Sequence, residues 1–233
     1  MHSRTNGLEH RSHPMKNSMK QKKCIYCGKQ IATERDHVPP KCLFPKPAPR
    51  NLITVPSCKG CNHSLSKDEE YFRAIVSQLV DTENHPASKR LLEDKILRGF
   101  EERPKLAVKI LSTVKPVDII REGMRVATVP AYDVDNQSYD RVMVKIIKGL
   151  LYHETGQIVP PGLAVKWNVL HQPLDVPQPV YEELQKSASH IIGEGIFEYK
   201  AYILPNTVKS LWLMSFYGGA AHYGAIFDES HFA

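Results

Sequence analysis

The sequence predicts an α+β protein: a zinc-stapled N-terminal unit, a helical connector, and a C-terminal α+β domain with a mostly antiparallel sheet. Three observations predict it. Two C-x-x-C pairs, Cys24/Cys27 and Cys58/Cys61, lie close to the N-terminus. Apolar residues recur at helical spacing from Lys67 towards Pro116. Beyond Leu163, alternating apolar runs are separated by turn residues. The 233 residues, 42% of them hydrophobic, can bury a core without disulfides. No apolar run approaches the ~20 residues of a membrane span, so no membrane partner is expected.

The first element in chain order is a basic arm. Residues 1–21 are polar and lack the apolar core of a secretory signal, so they read as disordered and the protein as cytoplasmic. Residues 1–67 carry thirteen Lys and Arg against three acids (Glu9, Glu34 and Asp36), whereas the remainder has 18 bases and 22 acids. A basic end on a slightly acidic body suits a polyanionic partner such as nucleic acid.

The next unit, 22–80, holds all five cysteines. Two thiolates separated by two residues can face one tetrahedral ion around a tight turn, and two such turns complete four ligands. Cys24, Cys27, Cys58 and Cys61 are therefore the expected ligands of a structural Zn²⁺. Gly28 supplies the backbone freedom that such a turn needs. Disulfides are the weaker reading because nothing points to export, and neither pair sits in the βαβ pattern of a redox motif. Cys42 is left as a small buried side chain.

Between and beside the knuckles lie Glu34-Arg35-Asp36-His37-Val38-Pro39-Pro40, Asn51-Leu52 and Cys61-Asn62-His63. Here the sequence resembles the HNH endonuclease family in its zinc-stapled branch, over roughly residues 22–75. The resemblance implies a ββα-metal unit, one catalytic divalent ion distinct from the zinc, and hydrolysis of nucleic-acid phosphodiester bonds, DNA ahead of RNA. It also implies that Asn51 orients the His37 ring. The residues make chemical sense beside it. His37, with an unperturbed pKa near ~6.5, can take a proton from water at neutral pH. Asp36 points the other way from His37 along an extended segment and can hold a divalent ion. Asn62 offers that ion a carbonyl oxygen, and oxygen ligands suit Mg²⁺ or Mn²⁺. His63 is a phosphate contact or substitute ligand, and Lys41, Lys59 and Lys67 are phosphate contacts. Taken singly, each residue has an ordinary structural alternative, such as a helix cap or a solvated surface. The rival for the whole group is a non-catalytic zinc-ribbon module that binds nucleic acid or protein.

Residues 81–116 read as the connector. An amphipathic helix from about Ser66 continues through Val80, a second follows Pro86, and a third opens at Pro104. In 117–233, Val142–Leu151 form a helix ending near Gly156, Leu163–Val169 a strand, and Tyr181–Ala188 a helix. Phe197–Ile203 form a strand, and Leu211–Phe227 a hairpin around Gly218-Gly219. Arg141, Lys145, Lys148 and Tyr152 share one helical face and read as its solvated side. His153, His171, His190 and His222 lack partners at ligand spacing and read as structural. This C-terminal part is left with three readings: selecting substrate, forming a dimer, or binding a protein partner.

Overall fold

The computed structural model describes residues 22–79, 82–170 and 178–229. The expected basic arm, 1–21, and His171 lie outside the described residues. The fold is α+β with antiparallel sheets.

The N-terminal unit starts with an antiparallel pair, β1 (Glu34–Val38) and β2 (Ile53–Ser57), in the register Asp36↔Val55 and His37↔Thr54. Strand alternation sends Glu34, Asp36 and Val38 to one face and Arg35 and His37 to the other. Val38, Ile53 and Val55 are buried, and the loop between the strands buries Leu43 and Phe44. The short helix α1 (Lys59–His63) begins at Cys58, whose sulfur accepts the Cys61 N–H at 3.5 Å. Then α2 (Ser66–Val76) turns Tyr71, Phe72, Ile75 and Val76 inward. The two strands and following helices realise the expected ββα order.

The helical connector follows. α3 (Pro86–Leu91) starts on proline, whose missing N–H costs nothing at a first helical position. A wide turn over Leu92–Ile96 leads into α4 (Leu97–Glu102), and α5 (Pro104–Leu111) again opens on proline. Next comes a hairpin absent from the sequence expectation: β3 (Lys115–Arg121) with β4 (Met124–Ala131), turning at Glu122-Gly123. Both turn residues have positive φ, 51° and 78°, which suits a two-residue hairpin. Its side chains are mostly exposed, so no in-out alternation of apolar residues announced it.

The long helix α6 (Asn136–Thr155) is capped by Asp135, whose carboxylate accepts the Gln137 and Ser138 N–H groups, and stops at Gly156 with φ 70°. After it come β5 (Leu163–Val169), α7 (Gln178–Lys186), β6 (His190–Ile192), β7 (Phe197–Ile203), β8 (Ser210–Phe216) and β9 (Ala220–Asp228). The sheet order is β5-β9-β8-β7-β6, all antiparallel. The β8–β9 hairpin turns through Tyr217, Gly218 and Gly219, as the Gly-Gly pair predicts.

α6 lies between the β1–β2 pair and the five-stranded sheet. At Gly149 an added Cβ would overlap Val38 of β1, and at Gly224 of β9 one would stand 2.6 Å from Ile147 of α6. One buried cluster accordingly runs from Ile25 and Val38 through Phe72 and Ile147 to Trp212 and Ile226. The expected solvated stripe on α6 is a correction: Arg141 pairs with Asp68, and Lys145 is only 5% exposed. The α2 carboxylates supply the partners that a helical wheel drawn from α6 alone cannot reveal. No described helix is long and apolar enough to cross a membrane.

Candidate metal centre and the Asp36–Lys145–Glu69 cluster

The four knuckle cysteines converge. Their sulfur atoms all lie within 4.8 Å of one another, and none is in a disulfide. Thiolates around one tetrahedral zinc stand about 3.8 Å apart, so the set fits a metal ion with small adjustment. The first knuckle is built by backbone bonds, with the Gly28 N–H donating to Cys24 O and the Cys24 N–H to Gln30 O, both at 2.8 Å. Gly28 has φ 65°, the left-handed turn for which glycine is suited. Burial pushes the Cys24 thiol up, but backbone hydrogen bonds from Cys27, Cys58 and Tyr26 outweigh it and bring the pKa down to about 6. Burial and the neighbouring sulfurs push Cys61 well above its ordinary value. Such a crowded set gains from a cation that neutralises successive thiolates.

His37 is half-buried on the outward face of β1. Burial, followed by the charge of Lys41, lowers its pKa from the ordinary histidine value, so the neutral ring dominates at pH 7. On the same face Arg35 donates to the Thr54 hydroxyl at 2.8 Å and to the Thr54 carbonyl at 3.0 Å. Lys41, Lys59 and Lys67 are exposed, Lys41 at the start of the loop turn and Lys59 at the start of α1.

Asp36 faces inward and is 6% exposed. One carboxylate oxygen accepts the His37 N–H at 2.8 Å, and the other pairs with Lys145 Nζ at 2.7 Å. The same ammonium donates to Glu69 Oε1 of α2 at 2.5 Å and stands 5.6 Å from the centre of the Tyr26 ring. Burial alone would lower the pKa of Lys145, but Glu69 and Asp36 outweigh it and hold it above the usual value. The cluster therefore contains a charged ammonium between two carboxylates.

The other expected residues lie around this cluster with different partners. Asn62 donates its side-chain amide to Glu34 Oε2 at 2.6 Å, and His63 Nε2 lies 3.1 Å from the same oxygen. Asn51 is exposed and donates its amide to the Ile191 carbonyl on β6 at 3.0 Å, so it ties the N-terminal loop to the large sheet. The divalent ion expected between Asp36 and Asn62 does not fit this arrangement. The buried Asp36 carboxylate is already neutralised by Lys145, and Asn62 turns its amide to Glu34.

Glu34, Glu69, Lys145 and Tyr26 are the members that sequence reasoning missed. Glu34 was legible, since strand alternation puts it on the Asp36 face. Glu69 and Lys145 come from α2 and α6, and no local spacing links them to β1. Comparison of the chain with protein-family models, curated proteins and solved structures finds no match.

Proposed function

We propose that this protein is an HNH-type endonuclease that hydrolyses nucleic-acid phosphodiester bonds, with DNA as the first substrate to test. The four cysteines hold a structural Zn²⁺ that fixes the end of β2 and the loop before β1. His37 is the general base: it takes the proton of the water that attacks phosphorus. Arg35 and Lys41 supply positive charge at the phosphate on the same side of the hairpin, and Lys59 and Lys67 bind backbone phosphates further along. The observation that carries this reading is a histidine held neutral on the outward face of a zinc-knuckle ββα unit, next to cationic side chains.

A second reading, a non-catalytic zinc-ribbon binder of nucleic acid, is favoured by the burial of the Asp36 carboxylate against Lys145. One experiment separates the two. Zinc-loaded protein and its His37→Ala variant are incubated with plasmid and with RNA, with and without added Mg²⁺ or Mn²⁺. A nuclease cleaves and loses cleavage with His37, whereas a binder retards the nucleic acid and cleaves in no condition.

A further inference from the structure

We propose that Lys145 is the resident cation of this centre: its ammonium occupies the place between Asp36 and Glu69, so the cluster takes up no Mg²⁺ or Mn²⁺. The inference rests on reading the unit as an HNH-type nuclease, because that resemblance is what puts a divalent ion beside Asp36.

The geometry leaves little room for any other cation. Nζ lies at hydrogen-bond distance from both carboxylates, 2.7 Å from Asp36 and 2.5 Å from Glu69. A hard divalent ion would need the same oxygens at about 2.0–2.1 Å, which would set two positive charges against a third in a water-poor space. The ammonium cannot readily withdraw. Lys145 sits in the middle of α6, flanked by the buried Val142 and Ile146, and one turn on Gly149 is pressed against Val38. Moving Nζ out of the cluster therefore takes either a new rotamer in space that buried side chains fill or a shift of the helix packed between the β1–β2 pair and the five-stranded sheet. The Tyr26 ring closes another side of the ammonium.

It follows that removing the ammonium creates a metal site. Without Lys145, the buried Asp36 carboxylate and the partly buried Glu69 carboxylate lose their shared counter-charge, and a divalent ion with oxygen ligands is the natural replacement. The test is Mn²⁺ titration of the zinc-loaded full chain, followed by electron paramagnetic resonance of the free ion. The wild type and Asp36→Asn are expected to give the same curve. Lys145→Met is expected to bind one additional Mn²⁺ per chain, lost again in Lys145→Met/Asp36→Asn, while Lys145→Arg behaves as wild type. An Mn²⁺ site in the wild type that disappears in Asp36→Asn overturns the proposal. So does a Lys145→Met protein with full zinc content and wild-type circular dichroism that takes up no extra Mn²⁺. If Lys145→Met does not fold, the wild type and Asp36→Asn pair decides alone. Since the readout is metal binding, a protein that cleaves nothing counts against the nuclease reading while this titration still judges Lys145.

Discussion

His37 and Asp36 are neighbours in the chain but belong to different environments, and their variants should differ accordingly. His37→Ala is expected to bind DNA nearly as wild type and cleave about 10² to 10⁴ times more slowly, measured by single-turnover cleavage beside gel retardation. Only the neutral ring accepts a proton, so under the proposed mechanism cleavage is expected to fall as pH drops through the His37 pKa. Burial and Lys41 set that pKa below the usual histidine value, which puts the acid limb on the acid side of ~6.5. Lys41→Met removes a positive charge that opposes protonation, so the limb should move to higher pH. An acid limb that persists unchanged in His37→Ala would remove His37 from the chemistry. Lys145 carries a stability consequence instead. Deleting one partner of a buried ion cluster leaves uncompensated charge, so Lys145→Met should lose about 3–5 kcal/mol in urea unfolding at neutral pH without added metal. Adding Asp36→Asn should recover part of that loss, because one of the stranded charges goes with it.

Among the elements, α6 carries the closest packing. Gly149 lets it approach β1 within the volume a methyl group would need, so Gly149→Ala should cost about 1–3 kcal/mol in denaturant unfolding. A neutral Gly149→Ala would show that β1 and α6 separate more easily than their packing indicates. The β3–β4 hairpin is the opposite case. It is a two-stranded sheet whose side chains are largely exposed, and such a ribbon is marginal on its own. Its amides should exchange hydrogen well before those of β8, whose residues alternate into the core.

At the scale of the molecule, the four-cysteine unit and the five-stranded sheet share one buried cluster through α6. A metal ion held by the four cysteines, as proposed, would contribute directly to the folding of the N-terminal unit. Because α6 is packed on both sides, that contribution should extend to the large sheet. Cys24→Ser, or zinc removal by a chelator, is therefore expected to lower one calorimetric transition of the whole chain. Two separate peaks, with the upper one unmoved, would mean that the parts unfold independently.

The cysteine spacing, the Gly28 turn, the alternation of β1 and the periodicity of α2 and α6 were all legible in the sequence, because each depends on residues close along the chain. Strand alternation alone separates His37 from Asp36. Local pattern also marks β5, β7 and the β8–β9 hairpin, where apolar residues alternate against a core. The β3–β4 hairpin escaped because exposed strands need no such alternation. The pairing of Asp36 and Glu69 with Lys145, of Asp68 with Arg141, and of Asn51 with Ile191 was decided by tertiary structure alone. A helical wheel of α6 gives Lys145 a polar face but cannot say whether water or two carboxylates lie opposite. That depends on α2 and β1 packing against α6, more than sixty residues away along the chain. The positive charge beside Asp36 is therefore a property of how distant elements pack, set by burial that no sequence interval encodes.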